Sequence, residues 1–220
     1  MTEHKRDRPR NGDLHAKKQA PTWTFFRQWL KNPLSMAAVS PSSRELAQKM
    51  LRELPHGAKR VIELGGGTGV FTQALIDQGV QADDMFVLEL NEALHQHLKQ
   101  RFPKARVVCG DARDLKSHVL RSGYADGGAA DAVISGLGLL SMPKTTQREI
   151  LDAAFSLMTP AGRFVQFTYG PTNPVSREVM RELDLVSHRA SFTLWNVPPA
   201  SVYVVSRSRS KRVAPARAAR

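Results

Sequence analysis

Three acidic residues and a run of glycines carry the chemistry that can be read from this chain. Residues 63–69 are Glu63-Leu64-Gly65-Gly66-Gly67-Thr68-Gly69. Glycines let a backbone turn tightly and approach a ligand, and a helix that follows offers its free N–H groups to a polar or anionic group. Glycine at 65, 67 and 69 gives the spacing G-x-G-x-G. The dinucleotide spacing G-x-G-x-x-G would need glycine where Val70 stands, and no Gly-Lys-Ser/Thr follows to make a phosphate loop. Glu89 lies 20 residues past Gly69. A carboxylate there can accept both hydroxyls of a ribose and would repel a 2′-phosphate. Gly110-Asp111-Ala112 is the third place. Asp111 can accept a hydrogen bond from an adenine amine, or it can simply cap the helix that follows.

These residues need elements to position them. VIEL (61–64), MFVLEL (85–90), ARVVCGD (105–111), DAVISGL (131–137) and RFVQFTYG (163–170) read as strands. Helical stretches separate them: one through Leu75, one over 92–102, and one that Thr146 and Glu149 open as a capping box before Ile150, Leu151, Ala154, Phe155 and Met158. A further helix follows Pro41, with Ser42 and Glu45 at capping-box spacing and Leu46, Met50, Leu51 and Leu54 as its stripe. The last part gives two strands broken by Pro198-Pro199, an antiparallel hairpin at one edge. Strand–helix alternation of this kind predicts an α/β fold, a mostly parallel sheet with helices on both faces. Ligands of such sheets sit outside the carboxyl ends of the strands, which is where Glu63, Glu89, Asp111, Ser135 and Tyr169 fall.

The chain has 220 residues, room for one ordinary domain, with 41% hydrophobic and 24% charged residues. Its net charge is +12, concentrated at the ends. Residues 1–20 carry six basic and three acidic side chains, and 206–220 carry six basic and none acidic, which leaves +3 between them. Both ends read as disordered basic tails, either solubilising or anion-binding, around a domain at 21–205. Cys109 stands alone, so no internal disulfide is expected and the compartment is expected to be reducing. No apolar run is long enough to span a bilayer and no secretory leader is visible, which places the chain in the cytoplasm. No metal is expected, because no His/Asp/Glu cluster has ligand spacing; His95 and His97 read as exposed helix residues.

The glycine loop with an acid two residues before it, followed by acids after the next two strands, resembles the class I S-adenosylmethionine-dependent methyltransferases over residues 58–170. The resemblance implies a Rossmann-like, seven-stranded fold and S-adenosylmethionine as cofactor. Glu63, Gly65, Gly67 and Gly69 would hold its methionine part, Glu89 the ribose, Asp111 and Ala112 the adenine, and Ser135 would line the same cleft. An oxidoreductase is disfavoured by the glycine spacing. A degenerate module that only docks to membrane is disfavoured by the intact acids.

A wider pattern narrows the acceptor. F-F-R-x-W-L-x-x-P (25–33), Ser40-Pro41-Ser42-Ser43, the glycine loop, Tyr169-Gly170-Pro171 and Asn196-Val197-Pro198-Pro199-Ala200 together look like the small soluble bacterial phospholipid N-methyltransferases. These methylate the amine of phosphatidylethanolamine toward phosphatidylcholine. One departure is Gly66, where such loops more often carry a larger residue. The family is also similar to rRNA adenine dimethyltransferases, which keeps an RNA or DNA adenine N6-methyltransferase as the alternative. Against it, the loop after the fourth strand, Ser135 to Pro143, is small and apolar and lacks an Asn/Asp-Pro-Pro-Tyr sequence for a flipped base. Tyr169 is the candidate catalytic residue, contacting the head-group amine, or else a packed aromatic. Residues 22–31 predict a short amphipathic helix in which Trp23, Phe26, Trp29 and Leu30 meet the membrane, with basic neighbours at the phosphates, or close over the cofactor as a lid. The expected partners are a phospholipid substrate and an anionic surface, with peripheral attachment to the inner membrane; nucleic acid is the weaker expectation.

Overall fold

A computed structural model describes residues 41–169, 171–193 and 199–208. The predicted helix at 22–31, with Trp23, Phe26, Trp29 and Leu30, lies outside the described residues, as do Gly170, Asn196 and most of both tails. The Ser42 side chain of the first predicted capping box is likewise outside them.

The elements run α1 (Pro41–Leu51), β1 (Val61–Leu64), α2 (Val70–Asp77), β2 (Met85–Glu89), α3 (Glu92–Arg101) and β3 (Arg106–Cys109). They continue with α4 (Leu115–Arg121), β4 (Ala130–Ser135), α5 (Lys144–Leu157), β5 (Met158–Tyr169), α6 (Arg177–Glu182), β6 (Leu185–Thr193) and β7 (Ala200–Arg207). The seven strands form one sheet in the order β3-β2-β1-β4-β5-β7-β6. β3, β2, β1, β4 and β5 are parallel, and β7 runs antiparallel between β5 and β6. The chain steps outward from β1 to β3, then returns to lay β4 on the other side of β1. That reversal puts the switch point of the sheet between β1 and β4, where ligands of such folds bind in a crevice at the carboxyl edge.

The central strands are near-continuous apolar runs because both faces are covered. Ile62, Leu64, Phe86, Leu88, Val133 and Phe164 pack with α4, α5 and α6 on one face. Val61, Met85, Val87, Ile134 and Val165 pack with Leu46, Met50, Leu75, Leu98 and Phe102 of the α1–α3 layer on the other. Side chains alternate along a strand, so Glu63 shares the face of Val61 and Glu89 that of Val87. Both acids therefore point toward the α2–α3 layer, although they lie in the most buried part of the sheet.

Several expectations need correction. α5 begins at Lys144, directly after Pro143, and no side chain caps it, so Thr146 and Glu149 lie inside the helix rather than opening it. The proline ring already supplies a helix-compatible φ at the entry. β7 runs through Arg207, whose guanidinium donates to the Thr159 carbonyl at 2.8 Å and also to that of Phe155, so residues 206 and 207 belong to the domain and not to the tail. His95 is 9 % exposed and not a surface residue: α3 lies against β2 and β3, and Leu94, His95 and Leu98 form its inward face. Two short helices, α4 and α6, were not predicted.

The amino edge of the sheet is stapled by charge. The Asp131 carboxylate accepts from the Lys59 and Arg60 backbone N–H groups at 2.8 and 3.0 Å. The Arg60 guanidinium pairs with Asp84 at 3.0 Å, donates to the Tyr124 carbonyl and lies 4.3 Å from the centre of the Tyr124 ring. Arg60→Ala strips these contacts and leaves the buried Tyr124 carbonyl short of its donor. It is expected to cost about 2 kcal/mol, read as a lower denaturant midpoint at unchanged slope.

Candidate functional site

The loop from β1 to α2 passes through the left-handed region at Gly65, Gly67 and Gly69, with φ of 73°, 56° and 82°. Each would strain a side-chain-bearing residue. The loop hangs on its neighbours: Gly65 N–H donates to the Leu88 carbonyl at 2.8 Å, and across the crevice Gly136 N–H donates to the Leu64 carbonyl at 2.8 Å. The departure at Gly66 has a packing cause. A Cβ there would stand 2.6 Å from Val87 Cγ1 and 2.8 Å from Leu98 Cδ1. This middle glycine lets α3 close down on the loop.

Glu63 sits under this loop at 0 % exposure. Its Oε2 accepts from the Thr72 hydroxyl at 2.7 Å, while its Oε1 is buried with no partner among the described residues. Burial first, then the nearby Glu89 charge, pushes the acid up to about 8 despite the Thr72 bond. Glu63 is thus a neutral acid at pH 7 in the free protein. Glu89 Oε2 accepts from Gly67 N–H and its Oε1 from Asn91 N–H, each at 2.8 Å, so this carboxylate fixes the loop to the start of α3 and keeps spare lone pairs.

Asp111 does what its helix-cap reading required: it precedes a short 3₁₀ turn, and its Oδ1 accepts from Arg113 N–H at 2.8 Å. The Arg113 side chain also grips its Oδ2. Ala112 is buried beneath it and Ser135 is fully buried at the end of β4, its hydroxyl 3.3 Å from Leu137 N–H. Gly110 N–H donates to the Glu89 carbonyl at 3.0 Å, which joins the ends of β2 and β3. Glu63, Glu89, Asp111 and Ser135 therefore line up along one edge of the sheet, as the sequence implied.

Tyr169 ends β5, half-buried, with its ring edge-on to Phe167 at 5.5 Å between centroids, and Phe167 in turn lies 5.9 Å from Phe71 of α2. Burial raises the Tyr169 phenol above its usual range, so it keeps its proton at neutral pH. The packed-aromatic reading of Tyr169 is met, and its place at the strand end is compatible with an acceptor role.

Sequence reasoning missed the polar residues behind the edge. Gln166, 0 % exposed, donates to the Leu137 carbonyl at 2.8 Å. Gln147 donates to the Leu139 and Met142 carbonyls and accepts from Ser176 N–H at 2.9 Å. Together they hold the apolar loop after β4 in shape. The available signal was a lone glutamine within the apolar run RFVQFTY.

The crevice suits a cationic nucleoside. Its acids outnumber its bases, one buried carboxyl oxygen has no partner among the described residues, and glycines leave room where a side chain would intrude: at Gly136 a Cβ would stand 3.0 Å from the Gly65 carbonyl oxygen. Comparison with known proteins agrees. Residues 61–162 match the family described as Methyltransferase domain. The ornithine lipid N-methyltransferase of Singulisphaera acidiphila is 33% identical over 183 residues, covering 81% of this chain and 92% of that protein. The chain belongs to the class I S-adenosylmethionine-dependent methyltransferases. Its cofactor is S-adenosylmethionine. The fold agrees with solved structures of low identity: Streptomyces venezuelae DesVI (TM-score 0.57, 11% identity, covering 86% of this chain and 100% of that one) and the glycopeptide N-methyltransferase MtfA complexed with S-adenosylmethionine (TM-score 0.54, 12% identity, 78% and 96%). The ribosomal RNA small subunit methyltransferase A of a Synechococcus strain is 34% identical over 96 residues, but these cover 41% of this chain and 31% of that protein.

Two outcomes follow for this methyltransferase. Between the ordinary carboxyl pKa of 4.5 and about 8, the unfolded chain has released the Glu63 proton and the folded one has not. Stability therefore falls as pH rises through that window, by at most roughly 1.4 kcal/mol per pH unit. Glu63→Gln keeps the shape and removes this slope, so denaturant unfolding of the cofactor-free protein should show the variant gaining on the wild type from pH 5 to pH 8. Gly66→Ala is expected to lose about 1–3 kcal/mol through overpacking against Val87 and Leu98, read as a lower melting temperature.

Proposed function

We propose that this methyltransferase transfers methyl groups to the amine of phosphatidylethanolamine and of its monomethyl and dimethyl forms, toward phosphatidylcholine, at the cytoplasmic face of the inner membrane. The observation that carries this reading is the similarity to a lipid N-methyltransferase over 81% of this chain and 92% of that protein. The apolar loop after β4 supports it, with Leu140 exposed and no platform for a flipped base.

Bound S-adenosylmethionine supplies a methyl group on a positively charged sulfur. Glu63 and the turn amides of the glycine loop would hold its methionine part, Glu89 the ribose, and Asp111 with Ala112 the adenine. The rest of the work is alignment and exclusion of water. Leu137, which reaches Gly65, and the exposed Leu140 form an apolar wall beside the crevice on a loop held by Gln147 and Gln166. Tyr169 acts on the head-group amine through its neutral hydroxyl and ring face, not as an anionic base. Each transfer forms a carbon–nitrogen bond, breaks a carbon–sulfur bond and releases the amine proton to water. Membrane attachment is assigned to Trp23, Phe26, Trp29 and Leu30 with the basic tails.

The test is methyl transfer from labelled cofactor to three acceptors: vesicles of phosphatidylethanolamine with an anionic lipid, vesicles carrying ornithine lipid, and ribosomal RNA. Label in phosphatidylethanolamine is expected, with little in RNA. Label in ornithine lipid alone would remove phosphatidylethanolamine and keep the lipid class. Label in RNA alone would overturn the reading in favour of the adenine methyltransferase, for which the partial similarity to the ribosomal RNA enzyme speaks. Tyr169→Phe is expected to lower kcat about tenfold on the lipid while leaving cofactor affinity within about twofold.

A further inference from the structure

The corner after β3 is built more tightly than a helix cap needs. Arg113 gives Asp111 three hydrogen bonds: its backbone N–H to Oδ1 at 2.8 Å, its Nε to Oδ2 at 3.1 Å and its Nη2 to Oδ2 at 2.7 Å. An ionised carboxylate has about four lone-pair positions, so one remains, on Oδ1. The corner is fixed from below as well. Gly110 is bonded to the Glu89 carbonyl, and the His118 ring lies so close over Gly110 that a Cβ there would stand 2.3 Å from His118 Nε2. The backbone that carries Asp111 is therefore held on both sides, and its carboxylate is locked by a planar fork.

Resting on the assignment of Asp111 to the adenine, we propose that Arg113 is a positioning and specificity residue: it fills the carboxylate's other acceptor positions and aims the one that is left at the exocyclic amine of the base. A single fixed acceptor suits a single N–H donor. It has no proton to give, so it rejects a base that presents a carbonyl oxygen there. Lysine cannot replace the fork, because an ammonium is a point donor.

Asp111 faces two groups that can bear positive charge, Arg113 and His118. Hydrogen bonds from Arg113, then the charges of Arg113 and His118, hold it below the usual carboxylate range against the opposing effect of burial. Binding that needs the ionised acid is lost as pH falls through its pKa. Removing Arg113 raises that pKa and moves the loss to higher pH.

The experiment is calorimetric binding of two stable probes, S-adenosylhomocysteine and S-inosylhomocysteine, which carries a carbonyl in place of the amine. The proteins are the wild type, Asp111→Asn, Arg113→Gln and Arg113→Lys, each checked for an unchanged melting temperature. The wild type should prefer the adenosyl probe by about tenfold or more. Arg113→Gln should bind that probe about tenfold more weakly, lose most of the preference, and lose affinity at a higher pH than the wild type. Arg113→Lys should keep only part of the preference. If Asp111→Asn abolishes the preference while Arg113→Gln keeps it with an unshifted pH profile, the proposal fails and the Asp111 assignment stands. If Asp111→Asn keeps the full preference, the adenine assignment itself falls, and the proposal with it.

Discussion

The architecture depends on one close approach: the loop after β1 lies against the end of β2, the end of β4 and the tail of α3, with no side chain of its own at the contact points. Backbone N–H groups of Gly65 and Gly136 reach the carbonyls of Leu88 and Leu64 directly. At Gly69 even a methyl group would meet the Phe102 ring at 2.4 Å. Three backbone segments converge there only because glycines occupy the contact points. The convergence draws the carboxyl ends of β1, β2 and β4 into one edge, which carries Glu63, Glu89 and Ser135, with Asp111 just past the neighbouring β3.

That edge is then organised by acids rather than by bases. Glu89 clamps the loop from one side, and Glu63 lies beneath it, neutral in the free protein and bonded to Thr72. A carboxyl kept protonated by burial and by the neighbouring Glu89 can give up its proton and become a counter-charge when a cation stands beside it. The residues are therefore matched to a ligand that carries positive charge, as S-adenosylmethionine does. Asp111, half-exposed and clamped by Arg113, stays ionised at the other end of the row. Glu63 and Asp111, both carboxyl groups, are thus held in opposite protonation states by their surroundings.

On the far side of the crevice the chain uses buried amides instead. Gln166 adds a side-chain donor to the Leu137 carbonyl, and Gln147 adds donors to the Leu139 and Met142 carbonyls, of a partly buried turn. An apolar wall on a loop held by hidden polar anchors keeps its shape, and methyl transfer calls for such a wall to keep water out. The phospholipid reading draws on this wall, on the lipid-methylating relative and on the aromatic segment at 22–31.

The succession of strands along the chain, most of the helices between them and the row of acids were readable from the sequence, because burial on both faces produces unbroken apolar runs and because turns without side chains require glycine. Glu63, Glu89 and Asp111 could be placed by their positions after those runs alone. What the sequence could not show was decided by contacts between distant segments. Burial of His95, the start of α5 after Pro143 and the extension of β7 to Arg207 depend on which surface each element meets. The protonation of Glu63 depends on Thr72 and on the depth of the site, and the Asp111–Arg113 fork on the shape of the turn. Periodicity and turn chemistry are local and leave their mark in the order of residues. Burial and ionisation are set by the surroundings, which exist only once the chain has folded.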